Sequence, residues 1–324
     1  MSNLVVKPFD GEYGKKFDKI VGVENALYEF PGKCLLPPFF VDDAKRILNA
    51  TVREDDVWLI SFPRTGSTWC QEMIWLISNN LDFETAQKVP QQYRAPLIEM
   101  STVLYEFADS IKDLLSTSNA IDFVENMPSP RFIKSHLPLQ LLPSELDKIK
   151  PKVVYTLRNP KDMCVSYYHH CQMFHNLSMP FETFCDFFMH DALPIGSVWN
   201  HYLSFWNKRH ETNILVLKYE DMKKDLRGTL RKIANHLDKD LSERDINSLC
   251  DFLSVKNMRE NKGCNLQGFI DKQKGSNYYK RSGEHFIRKG IVGDWRNYMS
   301  PELSEKFDKW IEENTRNTDL TFDE

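Results

Sequence analysis

The sequence predicts a single α/β domain in which helices flank a central, mainly parallel sheet. Short apolar runs at 57–61, 153–157 and 213–217 alternate with segments of helical periodicity, and such alternation is typical of parallel sheets. The 324 residues fit one large domain. No internal repeat, low-complexity tract or Pro/Gly-rich linker divides them, so we predict one domain over 1–324.

The N-terminal third begins with a segment that we expect to be irregular. Pro31-Gly32 and Pro37-Pro38 interrupt the first ~50 residues. The first strand is predicted at 57–61, and the apolar residues that follow the next loop predict a helix over 69–78. Residues 80–128 are expected to form helices that cap the sheet.

The rest of the chain continues the alternation of strands and helices. Pro160 suits the first turn of a helix, because proline lacks the N–H that this position leaves unpaired. The predicted elements are strands at 131–134, 153–157 and 213–217, helices from 160 through 168, near 180–190 and at 197–209, and a mostly helical remainder interrupted by a Gly-, Lys- and Arg-rich segment at 262–293.

Composition excludes several classes of protein. The net charge of −4 provides no general attraction for nucleic acid, so any site for a polyanion must be a local cluster. No apolar run approaches the ~18 residues that span a bilayer, and the N-terminus lacks the pattern of a secretory signal. Seven cysteines without a CxxC pair indicate reduced thiols. We therefore expect a cytoplasmic protein without membrane insertion.

The segment Ser61-Phe-Pro-Arg-Thr-Gly-Ser-Thr-Trp69 is the strongest single signal in the chain. It lies between a predicted strand and a predicted helix, where free backbone N–H groups and the positive end of the helix favour an anion. Gly66 permits close approach, and Arg64 adds charge. The loop is P-loop-like but is not a Walker A loop, which has two glycines and a lysine. Alone, it could be an ordinary strand-to-helix turn.

Other strands also end in polar or charged residues. Such residues occur at 134–136, at Arg158 and at 218–221. The carboxyl ends of parallel strands meet at one edge of the sheet, where ligands of such folds bind. The sequence therefore predicts one site that is built from four strand ends.

Three further motifs accompany the loop, and together they resemble one enzyme family. They are Pro130-Arg-Phe-Ile-Lys-Ser-His-Leu-Pro138, Arg158-Asn-Pro-Lys-Asp162 with Ser166-Tyr-Tyr-His169, and Arg288-Lys-Gly-Ile-Val-Gly-Asp-Trp295. In order and spacing they are similar to the cytosolic sulfotransferases, over roughly residues 35 to 310. That family transfers a sulfuryl group from 3′-phosphoadenosine 5′-phosphosulfate (PAPS) and releases 3′-phosphoadenosine 5′-phosphate (PAP). The Phe-Pro-Arg loop and the long N-terminal segment look most like insect members of the retinol dehydratase type.

The resemblance implies a set of donor-binding residues. The loop matches the family's 5′-phosphosulfate loop, and Trp69 matches its adenine-stacking residue. Arg158 and Ser166 match the pair that binds the 3′-phosphate. The matching donor-site residues are Arg64, Thr65, Gly66, Ser67, Thr68, Trp69, Arg158, Ser166, Tyr219, Arg288, Lys289 and Gly290.

The resemblance also implies the catalytic residues His136, Lys134 and Arg64. His136 matches the family's base, which takes the proton of the attacking hydroxyl. Lys134, two residues earlier on a strand end, points to the same side and matches the cation at the transferring group. Arg64 stands where the family usually has Lys. Because its pKa is ordinarily above ~12, we expect it to neutralise charge and not to donate a proton.

Two segments depart from the family pattern. Leu253 and Val255 occupy places where the family often has a threonine and an aromatic residue over the adenine. The segment from Arg296 to Glu305 only loosely resembles the short dimer motif of vertebrate members, which leaves a homodimer open.

The acceptor side is predicted from where substrate walls lie in the family. The implied partner is a small lipophilic molecule that bears a hydroxyl group. Candidate pocket residues are Phe39, Tyr93, Tyr168 and Phe174, with Phe40, Met100 and Phe286 as further positions. His169, His170 and His175 have no Cys or carboxylate at ligand spacing, so we predict solvated or pocket histidines and no metal site.

Three alternatives to a simple sulfotransferase stay open. The same residues would serve an enzyme that dehydrates an allylic alcohol such as retinol through a transient sulfate ester. A nucleotide- or lipid-hormone-binding module without turnover would not need Lys134 and His136. A kinase is disfavoured by the missing Walker A lysine and by the two matches to a 3′-phosphate clamp.

Overall fold

A four-stranded parallel sheet in the order β5-β4-β6-β7 lies at the centre of the molecule. The structure, a computed structural model, describes residues 4–105, 108–115, 119–175, 177–275 and 285–322. The strands in these ranges are β1 (Lys7–Pro8), β2 (Tyr28–Phe30), β3 (Cys34–Leu36), β4 (Val57–Ser61), β5 (Phe132–Ser135), β6 (Lys152–Leu157) and β7 (Ile214–Lys218). The mixed α/β fold with a parallel sheet is confirmed.

Helices cover both faces of this sheet. Along β4, Trp58 and Ile60 belong to one apolar core, whereas Val57 and Leu59 belong to the other. Successive side chains of a strand point to opposite faces, so a strand that is covered on both faces needs an unbroken apolar run. This is why the central strands could be recognised in the sequence.

The helices connect the strands and build the layers on either face. Those of the first half are α1 (Glu12–Val21), α2 (Phe40–Leu48), α3 (Ser67–Ser78), α4 (Phe83–Lys88), α5 (Gln91–Arg94), α6 (Met100–Val103), α7 (Ala108–Leu115) and α8 (Ala120–Asn126). Those of the second half are α9 (Leu146–Ile149), α10 (Pro160–Phe174), α11 (Phe181–Met189), α12 (Val198–Trp206), α13 (Tyr219–Lys224), α14 (Leu226–His236), α15 (Glu243–Phe252), α16 (Val255–Glu260), α17 (Gln267–Lys274) and α18 (Pro301–Thr315).

The expectation of an irregular N-terminal segment over ~1–50 is wrong. This segment holds α1, α2 and a small antiparallel sheet in the order β1-β2-β3. Phe17 and Phe30 are buried in the larger core. Strands of two or three residues carry no periodicity of their own, so contacts with the rest of the chain determine them.

The basic segment before the last helix is partly helical. The Gly-, Lys- and Arg-rich segment at 262–293 contains α17, and its residues 276–284, which include Arg281, lie outside the described residues. None of the described helices combines the length and the apolar character needed to cross a membrane.

Candidate active site

A cavity of about 750 Å³ lies at the carboxyl edge of the parallel sheet. Each of the four strands delivers residues to its wall. The loop after β4 and the first turn of α3 contribute Arg64, Gly66 and Ser67, Lys134 and His136 lie at the end of β5, Arg158 follows β6, and Tyr219 follows β7. The expectation that the four strand ends meet in one site is confirmed, and the volume is typical of a pocket for a small molecule.

Gly66 shapes the loop between β4 and α3. Its φ of +91° lies in the left-handed region, and it precedes the first residue of α3. A Cβ atom at this position would lie 2.6 Å from Cδ2 of Tyr219. Glycine is therefore required both by the backbone and by the close approach of Tyr219. The first amides of α3, which have no intrahelical acceptor, start directly after this turn.

The hydroxyl of Thr65 is bound within the protein, so the predicted donor contact of Thr65 is left to its backbone. Its hydroxyl donates to the carbonyl of Phe62 at 3.0 Å and lies 2.8 Å from the hydroxyl of Thr156. Thr65 is fully buried and is not among the residues that line the cavity. The hydroxyl fastens the loop to the sheet, which leaves Ser67 and Thr68 as the loop hydroxyls at the cavity.

Arg64 joins the loop to the far wall of the cavity. Its Nε donates to the hydroxyl of Ser166 at 3.1 Å, and its Nη2 donates to the carbonyl of Phe286 at 3.0 Å. The guanidinium also lies over the Phe286 ring, 5.1 Å from the centroid. Burial, with the charges of Arg158 and Arg288, lowers the pKa of Arg64 to about 10. It therefore stays charged at neutral pH.

Arg158 and Arg288 each present a nitrogen that has no protein partner. Within the described residues, the buried Nε of either guanidinium has no hydrogen-bond partner. Arg158 lies over the ring of Tyr219 at 4.2 Å, and Arg288 is paired with Asp294. Buried polar groups are rarely left unpaired, so two arginines that line one cavity and keep an unpaired nitrogen fit an anionic ligand.

The segment that carries Arg288 is held in place by Asp162 on α10. The carboxylate of Asp162 accepts from the backbone N–H groups of Gly293 at 2.6 Å and of Trp295 at 3.0 Å. Lys289 donates to Asp294 at 2.8 Å. Through these bonds, Asp162 and Asp294 hold the segment that carries Arg288 and Lys289 in place.

Positive charge dominates the wall of the cavity. Among the described residues, six cationic side chains line it and Glu24 is the one carboxylate. The six are Arg64, Lys134, Arg158, Lys223, Arg288 and Lys289. A cluster of like charges is unfavourable without counter-charge, so the cavity favours a ligand with several negative charges. PAPS, with its 3′-phosphate and 5′-phosphosulfate, has this character.

An aromatic surface borders the basic wall. The Trp69 indole N–H donates to the carbonyl of Leu253 at 2.9 Å, and its ring lies 6.2 Å from that of Tyr219. Leu253 and Val255 both line the cavity. Val255 also packs close to Gly290, where an added Cβ would meet it at 2.5 Å. The two positions that depart from the family pattern thus still form part of the wall.

His136 is held in one orientation and one tautomer. Its Nδ1 lies 2.7 Å from the carbonyl oxygen of Ser61. A carbonyl oxygen only accepts, so Nδ1 carries the hydrogen and Nε2 keeps its lone pair. Burial, followed by the charge of Lys134, lowers the pKa of His136 well below its usual value. The ring is therefore neutral at pH 7 and able to accept a proton.

Two residues that the sequence analysis did not assign fix the backbone of His136. The buried carboxylate of Glu99 accepts from the His136 N–H at 2.5 Å and from the Ser135 hydroxyl at 3.0 Å. Burial raises the pKa of Glu99 to about 7. On the other side, His201 Nε2 donates to the His136 carbonyl at 3.2 Å. The one sequence signal for Glu99 is an acidic residue inside the apolar run 96–100.

Lys134 shares this buried environment. Burial is the main reason why the pKa of Lys134 falls to about 8; the charge of Glu99 opposes the shift, and that of Arg64 adds to it. At neutral pH the ammonium group remains largely charged. Lys134 and His136 both line the cavity, as predicted from their spacing on a strand end.

The rest of the cavity is mainly apolar, and it corrects part of the predicted acceptor pocket. Phe39 and Phe174 line it, as do Met100 and Phe286. Tyr93 and Tyr168 do not line the cavity. Tyr93 packs against Phe123, while the Tyr168 hydroxyl donates to the carbonyl of Met179 at 3.2 Å. Tyr167, which precedes Tyr168 in the sequence, lines the cavity instead. Phe40 is buried in the core against Phe30.

Comparisons with known proteins agree with this geometry. A family model described as a sulfotransferase domain matches residues 54–319. Over 266 residues the chain is 38% identical to the luciferin sulfotransferase of Photinus pyralis, covering 80% of this chain and 71% of that protein. It is 33% identical to the amine sulfotransferase of Oryctolagus cuniculus, covering 84% of each. The crystal structure of retinol dehydratase in a complex with retinol and PAP superposes with a TM-score of 0.89 at 30% identity, covering 99% of each chain.

Proposed function

The chain belongs to the sulfotransferase family, and we propose that it transfers the sulfuryl group of PAPS to the hydroxyl of a small lipophilic phenol or alcohol. One observation carries this proposal. A single cavity combines a cationic wall with an apolar wall, and the neutral imidazole of His136 lines the same cavity. A binding module would have no need for a base in that position.

The chain's own residues supply a base and a positive field. PAPS, when bound, contributes the sulfuryl group and a phosphate leaving group. Nε2 of His136 accepts the proton of the attacking hydroxyl, because Nδ1 is committed to Ser61. Lys134 and Arg64 stabilise the negative charge that grows on the leaving phosphate. Arg158, Ser166 and Arg288 hold the 3′-phosphate.

The test is the transfer of labelled sulfate from PAPS to a panel of phenols, aliphatic alcohols, steroids and retinol. We expect a labelled sulfate ester of at least one acceptor, formed together with an equal amount of PAP. PAP that binds while no acceptor is consumed would instead support a binding module.

A second candidate is the dehydration of an allylic alcohol through a transient sulfate ester. The similarity to retinol dehydratase over 99% of both chains favours it. With retinol and PAPS, this activity would yield inorganic sulfate and a product that has lost water. A stable retinyl sulfate, or no reaction with retinol, would argue for simple transfer.

The 3′-phosphate clamp can be tested at Arg288. Arg288→Ala is expected to weaken PAP binding about 10- to 150-fold, because one charge-assisted contact contributes roughly 1.5–3 kcal/mol. The affinity for adenosine 5′-phosphate, which lacks the 3′-phosphate, should change little. Isothermal titration of both ligands measures the difference.

Arg296→Ala is the matched control for this clamp. Arg296 lies on the same segment, stacks on Trp295 at 4.3 Å and is not among the residues that line the cavity. It should leave both affinities close to those of the wild type. If Arg288→Ala lost the same affinity for PAP and for adenosine 5′-phosphate, Arg288 would not be a ligand of the 3′-phosphate.

The charge of Lys134 predicts a pH dependence. Since burial lowers the pKa of Lys134 to about 8, kcat/KM for PAPS should fall as pH rises through about 8, where the ammonium loses its proton. Lys134→Arg places a guanidinium, whose ordinary pKa is higher than that of an ammonium group, in the same surroundings and should move this decline upward. Initial rates from pH 6.5 to 9.5 provide the measurement. A decline at the same pH in both proteins would assign it to another group.

A further inference from the structure

A polar corner interrupts the apolar part of the cavity. His170 lies four residues after Ser166 and four before Phe174 on α10, and all three line the cavity. Residues at this spacing share one face of a helix. The His170 ring lies 4.7 Å from the Phe174 ring and 5.7 Å from the ring of His175, which also lines the cavity.

The Nδ1 atom of His170 has no partner in the protein. It is buried, and no hydrogen-bond partner for it occurs among the described residues. Burial of an unpaired imidazole nitrogen is unfavourable, and phenylalanine would fill the same apolar surroundings without this loss. Because His170 lines the cavity and one of its ring nitrogens has no protein partner, its imidazole is a candidate contact for the ligand.

The surroundings keep both histidines neutral. Burial lowers the pKa of His170 well below its usual value, and the charges of Arg64 and Lys134 act in the same direction. Burial lowers the pKa of His175 to about 4. Among the described residues, no group of three or more His, Cys, Asp or Glu side chains could hold a metal ion. The corner thus suits a neutral hydrogen-bonding group.

A hydroxyl is the group that fits either tautomer of His170. It donates to an imidazole nitrogen that lacks a hydrogen and accepts from one that carries it, whereas an ionised carboxylate only accepts and so fits only a nitrogen that carries a hydrogen. We infer that the preferred acceptor carries, besides the hydroxyl that is sulfated, a second hydroxyl on an otherwise apolar skeleton, and that the imidazole of His170 binds this second group. The inference rests on the proposed sulfotransferase function and narrows its substrate class.

The test uses matched pairs of acceptors that share one apolar skeleton and differ by a single additional hydroxyl, placed ortho, meta or para to the first. In the wild type, kcat/KM should be about 5- to 30-fold higher for at least one dihydroxy compound than for its monohydroxy partner. His170→Phe should reduce this preference to about one. Dividing the wild-type ratio by the variant ratio cancels the intrinsic reactivity of the compounds.

Two further variants separate binding from structural effects. His170→Asn places an amide near the position of Nδ1 and should keep part of the preference. His169→Phe carries the same substitution one residue away, where the ring contacts the Tyr298 hydroxyl at 3.1 Å and does not line the cavity. It should keep the full preference. A preference that is unchanged in His170→Phe, or absent from the wild type, would overturn the inference.

Equilibrium binding keeps this test independent of turnover. Dissociation constants of the same pairs, measured on the PAP-loaded protein, should show the same preference and the same loss in His170→Phe. If no compound is sulfated, the proposed function fails, yet the binding ratio still decides whether His170 contacts the second hydroxyl. If sulfation is normal but the ratio does not depend on His170, only the present inference fails.

Discussion

Replacing His136 with alanine is expected to lower kcat by about 10²- to 10⁴-fold while leaving the affinity for PAP nearly unchanged. The imidazole is neutral, with Nδ1 bound to Ser61 and Nε2 available as the proton acceptor. Removing it leaves the attacking hydroxyl without a base. The contacts that hold PAP in the proposed site come from other residues, so its binding should persist. Single-turnover rates and titration with PAP measure the two quantities separately.

The fold around His136 makes this variant informative. Its backbone is held by Glu99 and His201, and neither contact uses the imidazole of His136. The backbone should therefore keep its conformation in His136→Ala. His190→Ala is a suitable control, because His190 is half-exposed, stacks on Tyr13 and does not line the cavity. Normal turnover in His136→Ala would exclude His136 as the base.

The sequence was sufficient for those elements whose signal is local. The buried strands β4 and β6 are covered on both faces, so their apolar runs are unbroken and easily recognised. The cationic residues follow strand ends, and parallel strands bring those ends together. In contrast, β1, β2 and β3 contain two or three residues each, and their pairing depends on contacts that no short window reveals.

Side-chain direction and long-range contacts limited the prediction of the site. Tyr167 and Tyr168 are adjacent on α10, and neighbouring residues of a helix point about 100° apart, so only one of them reaches the cavity. Thr65 belongs to the phosphate-loop pattern, yet the nearby Thr156 on β6 binds its hydroxyl. Glu99 and His201 contact His136 across 37 and 65 residues of sequence, a separation at which local patterns carry no information.

Replacing Gly66 is the second change for which we expect a large effect on stability and on PAP binding, because two independent constraints require glycine at this position. Gly66→Ala would place an L-residue at a φ of +91° and a Cβ atom 2.6 Å from the Tyr219 ring. The left-handed backbone costs about 1–2 kcal/mol for alanine, and displacing a packed ring costs roughly 1–3 kcal/mol more. We expect the free energy of unfolding to fall by about 2–5 kcal/mol.

The same substitution should weaken PAP binding at least about tenfold, since it displaces both the loop amides and Tyr219, which supports Arg158 by a cation–π contact at 4.2 Å. Gly268→Ala is the matched control, because Gly268 lies within α17 and an added Cβ would meet no atom within 4 Å. Alanine is favoured over glycine inside a helix, so this control should keep or slightly raise stability and leave PAP binding intact. Chemical denaturation and PAP titration of both variants measure the effects. Wild-type stability and PAP affinity in Gly66→Ala would show that the loop has room to rearrange and that its glycine is not what shapes the donor site.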